Sequence, residues 1–224
     1  MAYRRTENVV RRLAARHDAI VSAACAAAAE GGMAAVQIAP VAERAGIAAG
    51  TVYRYFPSKT ELVAELVAAA SEREIGAMRR AAAAAPGPLS ALAAVIATFA
   101  ARALLQRRLS WALIGEPVDV ESDSARLAFR RALAAEIEGR VQAAMSSGHL
   151  PEQDAALAAA ALVGALLEGL VGPLAPPAAN EPTQTRAAVQ MLTLLALRAV
   201  GVVDARARGV VLQTALPARD DDGV

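Results

Sequence analysis

The sequence predicts an all-α fold, and three observations lead to this prediction. Hydrophobic residues make up 56% of the 224-residue chain but aromatic residues only 3%, so the core must be built largely from Ala, Leu and Val. Alanine is the strongest helix former and is depleted in strands, so this composition favours packed helices. Apolar residues also recur at three- and four-residue spacing, between breaks rich in Gly and Pro. We expect a three-helix N-terminal head followed by a helical body.

The head is predicted to contain helices at about residues 7–30, 38–45 and 49–55. Gly46 supplies the turn between the second and third helices, giving a helix-turn-helix whose last helix can enter a major groove. Gln37 would start the second helix, where its amide could cap a free backbone N–H or reach a phosphate. The positions expected to face the core are Leu13, Ile20, Ala24, Ala28, Ile38, Val41, Ala42, Ala45, Ile47 and Val52.

A fourth helix should begin at Lys59, because Ser58 and Glu61 form a capping-box pattern. It should run to about residue 84, before the break Pro86-Gly87-Pro88. Further body helices are predicted at about residues 89–109, 124–147, 152–171 and 182–202, with a short segment at 111–115 and a loop after Pro117. We therefore divide the chain into a head (1–60), a regulatory and dimerisation body (61–203) and a loose acidic tail (204–224).

Three runs in the head carry a resemblance to a known family. They are VAERAGIA (41–48), GTVYRYF (50–56) and SKTEL (58–62). This stretch resembles the DNA-binding signature of the tetracycline-repressor (TetR) family of bacterial transcriptional regulators. The chain departs from the signature at Ala48, where a capping Ser is usual, at Gln37, where Thr is usual, and at Ala27-Ala28, where a Phe is frequent. The missing Ser cap would cost about 1 kcal/mol.

The resemblance implies that the second and third helices bind double-stranded operator DNA, and that the fourth transmits ligand binding to the head. Arg54 and Gln37 are the better candidates for reading bases, since Arg suits guanine and Gln suits adenine. Lys59 is a candidate phosphate ligand at a helix N-terminus, and Gly50 permits close approach to DNA. The candidate DNA-binding residues are Gln37, Ala48, Gly50, Thr51, Tyr53, Arg54, Tyr55 and Lys59. Alternatively, these side chains form an ordinary solvated face, and Tyr53 and Phe56 are core aromatics.

The distribution of charge along the chain favours this interpretation. The net charge is only +1, but residues 1–60 contain eight Lys and Arg against four Asp and Glu. The basic excess therefore lies in the head, as expected for a nucleic-acid-binding domain. The N-terminal arm contributes Arg4, Arg5, Arg11, Arg12 and Arg16, which could follow phosphates or enter a minor groove; the alternative is a disordered, solvated tail.

The last two body helices are apolar around nearly their whole circumference, which is typical of helices covered on several sides. One stripe is Ala155, Ala159, Leu162, Leu166 and Leu170, widened by Leu157, Ala160 and Val163; the last helix carries Val189, Leu192, Leu195 and Leu197. We expect a homodimer through a four-helix interface formed by these two helices. Burial within one subunit is the alternative.

A small apolar effector is expected in the body, because the scarce bulky side chains fall in its middle helices. The candidate ligand-binding residues are Met78, Phe99, Trp111, Glu116, Phe129 and Glu168, the two acids being charges in apolar surroundings, like Arg130. Met145 belongs to the same bulky group. Plain core packing is the alternative.

An enzyme is a weak alternative, because the chain has only His17 and His149, a single Cys25 expected to be buried, and no paired metal ligands or phosphate loop. We predict no catalytic residue, metal or cofactor. The most apolar stretch, Ala155 to Ala175, is interrupted by Glu168, so no membrane segment is expected. The sequence predicts a cytoplasmic, ligand-responsive dimeric repressor; a constitutive or activating DNA-binding regulator without an effector is the other possibility.

Overall fold

The computed structural model describes residues 2–116, 120–177 and 181–216. Within these ranges the chain forms ten α-helices, one 3-10 turn and no strand, which confirms the all-α prediction. The helices are α1 (Ala2–Gly31), α2 (Ile38–Arg44), α3 (Ala49–Tyr55), α4 (Lys59–Ala83), α5 (Pro88–Leu105), α6 (Arg107–Ile114), α7 (Val120–Ser146), α8 (Ala155–Leu170), α9 (Pro182–Ala199) and α10 (Asp204–Gln213), and the 3-10 turn is Met33–Ala35.

The head is formed by α1, α2, α3 and the start of α4. Ile20, Val41 and Val52 are fully buried in its core, as predicted from their spacing. The inward assignment of Leu13 is wrong, since this side chain is 50% exposed. Burial on α1 begins only around Ile20, so the preceding turns extend beyond the head as an exposed helical arm.

Helix α4 joins head and body. It packs against α1 at one end and against α5 and α7 further along. Ser58 caps it, because its Oγ accepts a hydrogen bond from the Glu61 N–H at 3.1 Å, as the sequence predicted. One uninterrupted rod of 25 residues thus runs from the candidate DNA side into the body core.

The body is a layered helical bundle in which α5 is central. This helix packs against α4, α7, α8, α9 and α10, and every residue from Ala91 to Ala100 is buried. By length and composition, Pro88–Leu105 is the one helix in the described ranges that could cross a membrane, but 67% of it is buried inside the protein, as for a core helix. The stretch flagged from sequence, Ala155 to Ala175, instead contains the shorter α8.

Several predicted boundaries need correction. The segment predicted at 89–109 ends at Leu105, and α6 begins at Arg107 rather than Trp111. Helix α7 begins at Val120 rather than near residue 124. The tail is not loose at its start, because α10 packs against α9 and α5. Pro117 and the acidic run Asp220 to Asp222 lie outside the described residues.

Candidate functional site

The turn of the helix-turn-helix is fixed by Gly46, which adopts a left-handed φ of 66°. The Ile47 N–H donates to the Ala42 carbonyl at 3.0 Å and the Gly46 N–H donates to the Glu43 carbonyl at 3.1 Å. This pair of bonds is a Schellman motif, which closes the end of a helix around a left-handed residue. The predicted role of Gly46 is therefore confirmed, and α3 leaves α2 at a defined angle.

Helix α3 has one buried and one exposed face. Val52 is fully buried, which anchors the helix in the head core. On the other side Tyr53 is 52% exposed and Arg54 is exposed, while Thr51 and Tyr55 are half-buried. Tyr53 is thus not a core aromatic, and α3 presents a polar, cationic surface of the kind that enters a groove.

The start of α3 is open. Ala48 is its N-cap residue in an extended conformation and provides no side-chain cap. Gly50 is exposed, and a Cβ placed on it would meet nothing within 4 Å. Protein packing therefore does not require glycine at this position.

Gln37 is the N-cap residue of α2, but its predicted capping role is wrong. Its side chain makes no cap hydrogen bond. The Gln37 Nε2 instead donates to the Ala34 carbonyl at 3.0 Å, closing the end of the 3-10 turn. The residue is exposed, so base contact by this amide would require it to leave Ala34.

The start of α4 lies beside the end of α3. Lys59 is exposed at the first position of α4. Phe56 is buried, and its ring lies 5.1 Å from that of His17 on α1, so it is a core aromatic. The contact between Phe56 and His17 places the root of the N-terminal arm beside the C-terminal end of α3.

The C-terminal end of α1 is the end that approaches the body, since the following Gly32 lies against Arg108 of α6. Arg11, Arg12 and Arg16 are exposed along it, as are the apolar Val9 and Val10. The exposed arginines of the arm therefore lie on the part of α1 that precedes its buried segment.

The body end of α4 is held by ion pairs on two sides. The Arg102 Nε on α5 lies 2.8 Å from the Glu74 Oε2, and the Arg79 Nε lies 2.9 Å from the Glu136 Oε2 on α7. Burial raises the pKa of Glu74 in spite of Arg102, and among the described residues none donates a hydrogen bond to its other carboxylate oxygen, Oε1.

The candidate effector residues divide into two groups. Met78, Phe99 and Phe129 are buried on α4, α5 and α7, three helices that pack pairwise. Trp111 is half-buried on α6, with its ring against Gly115, where a Cβ would lie 2.1 Å from the Trp111 Cζ3. The structure thus brings the first three into one core and places the tryptophan at its margin.

The two acidic candidates do not join this core. Glu168 is exposed on α8, so its expected apolar environment is wrong. Glu116 follows α6 and binds the head backbone, since the Met33 N–H donates to its Oε2 at 3.0 Å. Arg130 is also engaged elsewhere, because its Nε donates to the Ile114 carbonyl at 3.1 Å. The sequence contained no local signal for these contacts.

Comparisons with known proteins agree with this architecture. Residues 20–66 match the family described as bacterial regulatory proteins, tetR family. The HTH-type transcriptional repressor KstR of Rhodococcus jostii is 50% identical over 58 residues, which are 26% of this chain and 27% of that protein. The chain thus matches only about a quarter of the length of this curated relative.

Solved structures extend the likeness in fold to the body. RolR in complex with resorcinol matches with a TM-score of 0.66 and 22% identity, covering 93% of this chain and 98% of that one. The regulator FadR from Bacillus subtilis, in complex with stearoyl-CoA, matches with a TM-score of 0.68 and 21% identity, covering 83% and 98%. Residues 20–66 thus match the tetR family of bacterial regulatory proteins, and most of the chain shares the fold of these solved structures.

Proposed function

We propose that this protein is a dimeric, DNA-binding transcriptional repressor that leaves its operator when a small apolar effector binds the body. The observation that carries the DNA-binding part is the surface formed by α3 and the start of α4. Val52 fixes the helix in the core, while Arg54 and Lys59 make no ion pair or hydrogen bond within the described residues. Exposed cations on a helix anchored in this way are available for phosphates and base edges.

Within the proposed interface the residues divide by role. Arg54 would read a base, and Lys59 would bind a phosphate at the N-terminus of α4. Thr51, Tyr53 and Tyr55 would contact backbone or bases from α3, with Ala48, Gly50 and Gln37 along its margin. The arm cations would add phosphate contacts, which strengthen binding to any sequence.

The dimer proposal is supported by the exposed apolar faces of α8 and α9. The stripe predicted from sequence, from Ala155 to Leu170, is buried within the subunit. The opposite face of α8 is nevertheless apolar and exposed at Leu157, Ala160 and Ala161, and α9 exposes Met191 and Leu195. Two adjacent helices with such faces suit an isologous four-helix contact with a second copy.

The effector proposal is supported by the composition of the body core. The core around Met78, Phe99 and Phe129 is apolar, so a molecule bound among these helices would itself be largely apolar. Two structural neighbours were solved with organic ligands, resorcinol in RolR and stearoyl-CoA in FadR. Since α4 runs from this core to Lys59, a shift of α4 on binding would move the heads. Such a regulator would act beside the chromosome, in the cytoplasm.

The test is selection of bound DNA from a genomic fragment pool by the wild-type chain, by Arg54→Ala and by Lys59→Ala. The wild type should enrich an inverted repeat. The DNA motif selected by Arg54→Ala should be less well defined at specific positions. Lys59→Ala should weaken binding to all sequences and reduce the slope of log affinity against log salt concentration by about one unit. No enrichment at low salt would refute the proposal. Operator retention in the presence of a hydrophobic extract would favour a regulator without an effector.

A further inference from the structure

Glu116 forms a direct link between the body and the head. It follows the last residue of α6, Ile114, by two positions. Its Oε2 accepts a hydrogen bond at 3.0 Å from the N–H of Met33, the first residue of the 3-10 turn that follows α1. A free N–H at the start of a helical turn is a natural partner for a carboxylate. The two residues are 83 positions apart in sequence.

Gly32 shows how closely the two parts approach. It adopts a left-handed φ of 73°, and a Cβ on it would lie 2.3 Å from the Arg108 Nη2 and 2.7 Å from the Glu116 Oε2. The positive φ favours glycine here, and any larger residue would also have to displace the ends of these two side chains. Arg108 also lies near the carboxylate itself, with its Nη2 at 3.9 Å from the Glu116 Oε1.

The main-chain carbonyl of Glu116 is bound by α7. The Arg126 guanidinium donates to the carbonyl of Glu116 through Nη1 and to the carbonyl of Ala112 through Nη2. The Arg130 Nε donates to the carbonyl of Ile114 at 3.1 Å. Two arginines of α7 therefore bind the carbonyls at the C-terminal end of α6, where cations are favoured.

We propose that Glu116 is a positioning residue that couples movement of α6 and α7 to the DNA-binding head along a route separate from α4. Its carbonyl is bound by α7 and its carboxylate is bound by the head, so a shift of the end of α6 displaces the end of α1 directly. This role replaces the effector contact expected of Glu116 from sequence. The contact between Glu116 and the head exists within one chain and does not depend on DNA binding. Only the expected effect on DNA affinity rests on the proposed function.

The first test measures amide hydrogen exchange of residues 32–36 in the full chain without DNA. Glu116→Ala removes the acceptor, and exchange at Met33 should accelerate by about tenfold or more. Glu116→Gln keeps a carbonyl oxygen at the same reach and should stay within about threefold of the wild type. Glu152→Ala is the control, since it removes an exposed carboxylate far along the chain from the head. Unchanged exchange at Met33 in Glu116→Ala overturns the link.

The second test compares a complete inverted-repeat operator with a single half-site duplex. The link sets where each head sits on the body, so Glu116→Ala should change affinity for the full repeat by about tenfold but affinity for the half-site by less than about twofold. Glu116→Asp keeps the charge but shortens the side chain, so it should behave like Glu116→Ala, while Glu116→Gln should restore wild-type binding.

The outcomes separate this inference from the proposed function. Equal effects on full and half sites would mean that Glu116 acts only on head stability, and the positioning role would be wrong. If the wild-type chain selected no DNA, the proposed function would fail while the exchange experiment still decided whether Glu116 joins head and body. Cooperative thermal unfolding of each variant is required for either comparison, and Glu116→Asp, which keeps the charge, replaces Glu116→Ala if that variant is unfolded.

Discussion

Two buried carboxylates of the body show how the same ion-pair chemistry can give opposite pH dependence. Burial alone would raise the pKa of Glu136, but hydrogen bonds from Arg79 and Arg140 outweigh it and lower the pKa below its usual value of 4.5. In Glu74 burial dominates, and the pKa is raised in spite of Arg102. The ionised form is thus favoured by folding at Glu136 and disfavoured at Glu74.

This difference predicts opposite responses to acid. The stability contributed by Glu136 is present above pH 4.5 and is lost as the pH falls through its lower folded pKa, so the advantage of wild type over Glu136→Gln should shrink in acid. Burial disfavours the ionised form of Glu74, which destabilises the folded protein above pH 4.5. The free energy of unfolding of the wild type should therefore rise relative to that of Glu74→Gln as the pH falls. Urea unfolding of the three proteins between about pH 3 and pH 7 measures both trends; parallel trends would contradict the assignment.

At the scale of the helix, α3 shows which features a sequence determines. Its bounds, Ala49–Tyr55, coincide with the prediction, because Gly46 and the exposed–buried alternation around Val52 are local signals. The Ser58 cap is local as well. The capping role predicted for Gln37 is wrong because its side chain bonds to the carbonyl of Ala34, which lies in a 3-10 turn that has no clear sequence signature.

The open N-terminus of α3 leads to a prediction for this helix. Ala48 is already in the extended conformation of an N-cap residue, so Ala48→Ser should add a side-chain cap and stabilise the head by about 1 kcal/mol. Thermal unfolding should show an increase in Tm. Ala48→Val is the matched control, since it adds side-chain atoms without a hydrogen-bond acceptor, and an equal Tm for Ser and Val would argue against capping.

At the scale of the molecule, helix content and order were predictable, but which face of α8 is covered within the subunit was not. Helix α8 is apolar on both sides, so periodicity could not show that the stripe containing Leu166 packs inside the subunit while Leu157 is 68% exposed. The Glu116–Met33 contact was equally hidden, because it joins residues that are distant in sequence and depends on how α1 and α6 pack.

The exposed apolar faces of α8 and α9 define a test of the dimer. Leu157→Glu combined with Leu195→Glu should give folded monomers that bind an operator weakly, because both side chains are exposed in the single subunit and would place charges in the proposed interface. Light scattering after size exclusion measures the mass. Leu212→Glu on α10 is the control, being 75% exposed but outside α8 and α9. Dimers that persist in the double variant would rule out this interface. Leu166→Glu would not test it, because Leu166 is buried in the core of the subunit.

The close packing of Trp111 against Gly115 gives the protein a built-in optical reporter. Trp111 is the only tryptophan of the chain, and its indole lies one turn before Glu116, at the end of α6 that faces both α7 and the head. Its emission spectrum therefore reports solvent access at this junction without any attached dye. Titrations with candidate small molecules can be followed directly by intrinsic fluorescence, in a protein whose remaining aromatic residues are three tyrosines and three phenylalanines.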